Sequence, residues 1–118
     1  MSDLKQRTKE FALRVICLVE SLPTGRTADV LGRQLLRSGT SVGANYRSAC
    51  RARSAPDFRS KMGIVEEEAD ESAYWMELLT DAGLVKASRL EKLIVEANEL
   101  TAIAVASIKT FRRNSKKN

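Results

Sequence analysis

Apolar residues recur every three or four positions along four stretches of the chain, which is the spacing of one face of an α-helix. No stretch shows the strict alternation of a half-buried strand, and no internal repeat is visible. Long helices with short connections favour antiparallel neighbours. The sequence therefore predicts an all-α, up-down antiparallel four-helix bundle, a single domain over 1–118, with helices over about 3–21, 27–52, 55–82 and 88–113 and a frayed basic tail over 112–118.

Glycine, proline and capping residues mark the boundaries between these stretches. Pro23 and Gly25 separate the first helix from the second. Ser54 precedes the third helix as a cap, with a proline in the first turn, and Gly83 is a typical glycine end. Ser88 with an acid three residues later predicts a second capping box.

The first and third helices carry apolar residues away from their core-facing sides. Leu13 and Cys17 project nearly opposite the main stripe of the first helix, while Ile64, Trp75 and Leu78 lie off the stripe of the third. A wide core stripe or scattered exposed apolar residues would also explain them. A tryptophan grouped with leucine and isoleucine more often marks a partner surface. We therefore expect these residues to form an interface between copies of the chain.

Two glycines, Gly39 and Gly43, lie in the middle of the second helix. Each costs about 1 kcal/mol relative to alanine in a helix. Four residues apart, they make a flat surface on which another helix can lie closely. The alternative is a kink or break in the helix at this point.

The composition removes several classes of function. The chain has 43% hydrophobic and 30% charged residues, so it is expected to fold, and it contains no histidine. Histidine bases, Ser-His pairs and most zinc or di-iron ligand sets are thereby excluded. Cys17 and Cys50 are far apart and read as small apolar residues in a reducing compartment. With no apolar run of membrane-spanning length and no signal-like start, we expect a cytoplasmic protein with no cofactor or metal and no membrane partner.

Basic residues are concentrated on the second helix and at the C-terminus. Arginines recur on the face of the second helix opposite its apolar stripe, and we call them the arginine stripe: Arg33, Arg37, Arg47 and Arg51. Guanidinium groups at this spacing could track phosphates. The equally good alternative is that they pair with carboxylates of the third helix, such as Glu66, Glu67, Asp70 and Glu71. The tail has no acidic neighbours in sequence, which favours polyanion contact by Arg112, Arg113, Lys116 and Lys117.

Three segments of the chain resemble the bacterial four-helix bundle proteins, also called 23S rRNA intervening-sequence proteins. They are QLLRSGTSVGANY from Gln34, RARSAPDF from Arg51 and EEADESAYWMELL from Glu67. The resemblance implies a bundle that assembles into a ring, commonly a pentamer, without enzymatic activity. It also implies similarity to the accessory variability protein of diversity-generating retroelements, which cooperates with a reverse transcriptase and RNA. Many members carry an acid and a glycine after the asparagine that matches Asn45, where this chain has Tyr46 and Arg47.

Two functions of different classes follow from these features. The first is a non-catalytic homo-oligomer whose basic surface engages RNA or a nucleic-acid enzyme. The second is a structural or adaptor ring that docks a protein through Trp75 and the acidic third helix. An enzyme is disfavoured, because no nucleophile–base pair or phosphate-binding loop is visible. Salt dependence of binding distinguishes the first two, because phosphate contacts weaken steeply with salt.

Overall fold

The protein is a bundle of four helices in a computed structural model that describes residues 3–117, with side chains described for 3–111. The helices are α1 (Leu4–Glu20), α2 (Arg26–Cys50), α3 (Ala55–Asp81) and α4 (Ala87–Lys117). Over the described range there is no β-strand. The all-α four-helix bundle predicted from the sequence is confirmed.

Local capping determines where the helices begin and end. Asp3 accepts a hydrogen bond from the Lys5 backbone N–H at 3.0 Å, and Ser54 accepts one from the Asp57 N–H at 3.2 Å. Gly83, at φ +75°, adopts the left-handed conformation that follows the end of α3. Ser88 is not a cap as predicted, because α4 begins at Ala87 and includes it.

The fourth helix also differs from prediction at its C-terminal end. It continues to Lys117, whereas the sequence predicted an end near Arg113 followed by a frayed tail. No glycine or proline follows Arg113, so no helix-breaking residue interrupts the backbone there. The remaining helix ends lie within two residues of their predicted positions.

The helices pack as neighbours in chain order, with α1 and α4 in the least extensive contact. The core is apolar along its length and includes Phe11, Leu35, Met62, Met76 and Leu100, each no more than 2% exposed. A buried hydroxyl pair lies between α2 and α3, where Ser72 Oγ donates to Ser38 Oγ at 3.0 Å. Among the described residues, no helix is long and apolar enough to cross a membrane.

The glycines of α2 let α1 approach closely. A Cβ added at Gly39 would lie 2.8 Å from Val15 Cγ1, and one added at Gly43 would lie 3.1 Å from Thr8 Oγ1. The helix predicted to lie on this flat surface is therefore α1 of the same chain. The alternative of a break is wrong, because α2 is continuous through both positions.

The helices differ in length, and this leaves one end of the bundle with three helices instead of four. α1 has 17 residues and α4 has 31. Arg7 of α1 bonds Glu96 and Glu99 of α4, which sets the register between these antiparallel helices. Because α1 begins only three residues before Arg7, α4 extends past it from about residue 104 onward. Beyond that point α4 packs against the start of α3.

Candidate nucleic-acid interface

The up-down topology brings most of the basic residues to one end of the bundle. The start of α1, the end of α2, the start of α3 and the end of α4 meet there. We define the basic end as residues 3–10, 46–61 and 96–111, which lie at the same height in the bundle and hold nine bases and five acids. The bases are Lys5, Arg7, Lys9, Arg47, Arg51, Arg53, Arg59, Lys61 and Lys109.

The rest of the bundle has the opposite charge. We call residues 11–45 and 62–95 the acidic body, and they hold seven bases and ten acids. The net charge of +5 therefore conceals two regions of opposite sign along the bundle. This axial division follows from the topology rather than from any single helix.

The arginine stripe of α2 is divided between these two regions. In the acidic body, Arg37 pairs with Glu68 at 3.1 Å and also with Glu71, both on α3. Arg33 pairs with Asp29 of its own helix at 3.2 Å, with both side chains mostly exposed. Pairing with α3, the alternative to phosphate tracking, thus applies to Arg37.

The α3 partners are only partly those expected. Glu71 was among the predicted carboxylates, whereas Glu68 was not. Glu66, Glu67 and Asp70 form no ion pair within the described part of the chain.

Burial explains why Arg37 is held by α3. The Glu68 side chain is only 16% exposed, and this burial raises the pKa of its carboxyl group against the opposing effect of Arg37. The hydrogen bond to Glu71, followed by the charges of both carboxylates, raises the pKa of Arg37. Arg37 therefore compensates a carboxylate that is largely removed from water, which is a structural role.

Arg47 and Arg51, at the basic end, have a different environment. Both are exposed, and neither forms an ion pair with any described side chain. They line a shallow depression of about 270 Å³ together with Ala44 and Ser48. Guanidinium groups in this setting can bind an external oxyanion without first breaking an internal pair.

Most other bases of the basic end are also available to solvent. Lys5, Lys9, Arg53 and Lys109 are exposed, while Arg59 and Lys61 are half-buried. Within the described side chains, none of these six has an ion-pair partner. The predicted tail residues Arg112, Arg113, Lys116 and Lys117 lie beyond the described side chains, so their role stays a prediction.

Arg7 is the exception among the nine bases. Its guanidinium donates to Glu96 Oε1 and to Glu99 Oε2, each at 2.7 Å. The hydrogen bond from Arg7 holds the pKa of Glu96 below its ordinary value. The cluster joins α1 to α4, whose contact is otherwise sparse. Sequence reasoning missed it, because the residues are 89 positions apart and only the tertiary register brings them together.

The segment that departs from the family pattern lies at the start of the basic end. Asn45 donates to the Ser41 carbonyl at 2.8 Å, a bond within its own helix. Tyr46 packs against the core, and burial raises its pKa to about 12. Tyr46 is therefore neutral at physiological pH, and Arg47 supplies the positive charge that this surface presents.

The predicted interface residues divide by exposure. Leu13 is 55% exposed, Ile64 is 38% exposed and Cys17 is exposed. Trp75 and Leu78 are half-buried, and Trp75 packs against the core, as the alternative of a wide core stripe expects. Their role as an interface stays a prediction.

The orientation of Trp75 shows which part of its ring is available. Its Nε1 atom is buried and has no hydrogen-bond partner among the described residues. An unsatisfied buried donor costs about 1–3 kcal/mol. Because the N–H is turned inward, the accessible part of the indole is carbon. Tyr74, 52% exposed, lies edge-on beside it with ring centroids 5.1 Å apart.

The structure adds two exposed apolar residues near Leu13, one on α1 and one on α2. Ile16 and Leu36 are each 37% exposed. Val15 lies against Gly39 and Val19 lies near Gly32, so Ile16 and Leu36 are at the same height on the two helices. With Leu13 they form what we call the α1–α2 patch. The α3 patch consists of Ile64, Tyr74, Trp75 and Leu78.

The two apolar patches lie on different sides of the bundle. In an up-down bundle with neighbours in chain order, α1 and α3 are diagonal to one another. Their outward faces therefore point in roughly opposite directions.

Among the described residues, no group of three or more cysteines or acids is placed so that it could hold a metal ion.

Comparison with known proteins agrees with the fold. The chain is similar to a crystal structure of a protein of unknown function from the S23 ribosomal protein family of Bacteroides thetaiotaomicron VPI-5482. The two are 36% identical with a TM-score of 0.85, and the match covers 91% of this chain and 99% of that one. No curated protein matches this chain. The model of the 23S rRNA-intervening sequence proteins matches residues 2–106, and the chain therefore belongs to this family.

Proposed function

We propose that the protein is a non-catalytic homo-oligomeric bundle whose basic end binds the phosphates of RNA. The observation that carries the proposal is the division of charge: nine bases and five acids at one end, against seven bases and ten acids in the body. A phosphate backbone is attracted to such a region because binding releases its condensed counterions. The unpaired Arg47 and Arg51 are the main expected contacts.

Self-association is the second part of the proposal. The α1–α2 patch and the α3 patch have different composition and lie on different sides, so contact between them joins unlike surfaces. Such a head-to-tail contact forms a ring when the rotation between subunits closes. A ring, with the pentamer favoured by the family resemblance, would bring several basic ends together and raise avidity for a long polyanion.

A role without catalysis is supported by the residues present. The chain has no histidine, so it offers no histidine base to activate a serine or cysteine nucleophile. The family resemblance implies a link to the accessory protein of diversity-generating retroelements, and under this proposal the protein cooperates with RNA and a nucleic-acid enzyme in the cytoplasm. The solved relative from Bacteroides has unknown function and assigns no activity.

A protein-docking adaptor is the second candidate, favoured by the outer face of α3. Glu67 and Asp70 are exposed and unpaired within the described residues, one to two helical turns before the half-buried Trp75 on the same helix. An accessible aromatic ring on a helix that also carries exposed carboxylates suits a basic partner protein. Binding through this face depends on the α3 patch rather than on the basic end.

Fluorescence anisotropy with a labelled RNA at about 50 and 200 mM salt tests RNA binding. The proposal predicts binding at the lower salt and a steep loss at the higher, with similar affinity for unrelated sequences, because phosphates carry no sequence information. Absence of binding at about 50 mM salt, where counterion release favours it most, would contradict the proposal and favour the adaptor.

Light scattering at micromolar concentration tests self-association. The expected mass is several times the 13.1 kDa of one chain. Leu13→Glu should reduce the mass, because a charge desolvated in an interface costs several kcal/mol. Val95→Glu is the matched control, since Val95 is similarly exposed at 53% but belongs to neither patch. A monomeric wild type, or an equal loss in both variants, would argue against the assigned patches.

A further inference from the structure

The basic end contains an apolar depression at the seam between α3 and α4. Its volume is about 420 Å³, within the range of small-ligand clefts, about 300–1,000 Å³. Among the side chains that the structure describes, its lining holds no charged group and consists of Phe58, Ile103, Ala106, Ser107, Thr110 and Phe111. We call it the phenylalanine groove. It is the part of the basic end that phosphate binding leaves unused.

Two aromatic rings form the groove's most distinctive surface. The centroids of Phe58 and Phe111 are 4.6 Å apart, with an angle of 33° between the ring planes. Both side chains are half-buried, so part of each ring remains accessible. Phe58 also packs against the core, which fixes its position.

The length of α4 accounts for the exposure of these rings. Around Phe111, α4 extends past the start of α1 and is supported by the first turns of α3. Three helices at this end cover less apolar surface than four do in the body. Phe111 also lies outside the 2–106 range that matches the family model, so the complete groove is not part of the matched pattern.

The charges around the groove indicate the kind of ligand it suits. Arg59 directly follows Phe58 and has no ion-pair partner among the described side chains. Lys109 is also unpaired there, but it lies two residues from Phe111 and so projects from a different face of α4. An apolar ring surface beside positive charges is the combination found in proteins that bind single-stranded nucleic acid, where bases stack and phosphates pair with cations. An apolar protein segment would pack against the phenylalanine rings but would form no ion pairs with the basic residues.

The geometry points to an unpaired nucleobase as the occupant of the phenylalanine groove, with the flanking phosphates held by the basic end. This inference rests on the proposed function and makes it more specific, because it assigns single-stranded RNA as the preferred ligand. In a duplex the base faces are already stacked within the helix. Only a strand with unpaired nucleobases can place a nucleobase against Phe111 while its phosphates contact the arginines and lysines of the basic end.

The test compares a labelled single-stranded oligouridylate with a strand of equal length whose riboses lack bases. Both carry the same phosphates, so their affinities differ only through the bases. We expect the strand with nucleobases to bind about tenfold more tightly, which lies within the range for one stacked base. Phe111→Leu should remove this difference while leaving the salt dependence unchanged, and Phe111→Tyr should retain it, because tyrosine keeps the ring.

Val95→Ala is the matched control, since it removes exposed apolar surface from the acidic body outside both apolar patches. It should leave the ratio between the two strands unchanged. Circular dichroism of each variant establishes that the helices remain folded. A loss of the ratio in Val95→Ala as well would overturn the assignment to the groove.

The other outcomes separate the inference from the proposed function. Equal binding of both strands by the wild-type protein would overturn the inference and leave phosphate binding intact. No binding of either strand would overturn both. A lower oligomer mass for Phe111→Leu, with the affinity ratio unchanged, would assign the groove to contact between copies and also overturn the inference.

Discussion

Arg37 and Arg47 lie ten residues apart on the outer side of one helix, yet they belong to different parts of the molecule. In the acidic body, Arg37 is held by Glu68 and Glu71 of α3. At the basic end, Arg47 is exposed and has no ion-pair partner among the described residues. The comparison shows that an arginine's role here depends on what the adjacent helix presents at the same height.

The difference arises from the composition of α3. Its middle section carries several acids, whereas its first turns carry Arg59 and Lys61 with Asp57 as their single acid. The end of α2 therefore lies beside more bases, while its middle lies beside carboxylates. Electrostatic pairing stabilises the body, and unbalanced positive charge remains at the end.

Disrupting the close packing of α1 on α2 should cause the largest loss of stability among the variants of the acidic body. Gly39→Val should lower the free energy of unfolding by about 2–3 kcal/mol, because its side chain would overlap Val15. Gly63→Val is the matched control, since a Cβ there meets nothing within 4 Å. It should change stability by no more than about 0.5 kcal/mol. Urea unfolding measures both, and similar losses would refute the close approach.

Removal of Arg37 from the acidic body should cause a smaller loss of stability. Arg37→Ala leaves the mostly buried Glu68 without its partner, and we expect a loss of about 1–2 kcal/mol. Arg33→Ala removes a pair whose side chains are 78% and 60% exposed, so its loss should be under about 0.5 kcal/mol. Denaturation midpoints of the two variants provide the comparison. An equal loss would mean that Arg37 is as peripheral as Arg33.

The smallest predicted effect is a pH dependence at the contact of α1 with α4. Arg7 lowers the pKa of Glu96 in the folded state, so the pair stabilises the fold above the unfolded pKa of about 4.3. This contribution, about 1 kcal/mol, is lost as the pH falls through the folded pKa. Glu68, whose pKa is raised by burial, acts in the opposite direction and stabilises the fold as it becomes protonated.

Glu96→Gln isolates the favourable contribution. The stability difference between wild type and this variant should be present at pH 7 and should shrink below about pH 4. Urea unfolding at several pH values measures it. A difference that stayed constant down to pH 2 would show that the carboxylate's charge is not what stabilises the contact.

The fold could be read from the sequence because its signals are local. Apolar spacing gave the helices, and Ser54 and Gly83 marked ends that the structure retains. The capping box predicted at Ser88 was wrong, because α4 begins one residue earlier, at Ala87. Such errors at boundaries reflect competition between local capping and the tertiary position of the helix.

The candidate site was less predictable, since it depends on register between helices. The sequence left phosphate binding and internal pairing equally open for the arginine stripe. The structure shows ion pairs for Arg33 and Arg37 and none for Arg47 and Arg51 among the described side chains. Arg7 gave no local sign that it would meet Glu96, and the phenylalanine groove combines residues 53 positions apart. These relations require knowing which residues of different helices lie at the same height.

The central claim is that the arginines of the basic end bind phosphates and those of the acidic body do not. The most direct test compares Arg47→Gln/Arg51→Gln with Arg33→Gln/Arg37→Gln, using the salt dependence of RNA binding. Each lost phosphate contact lowers the slope by about 0.7 for a single strand, so the first double variant should lower it by about 1.4. The second should leave the slope unchanged, with circular dichroism showing that both remain folded. Equal reductions in the two variants, or none in the first, would contradict the account.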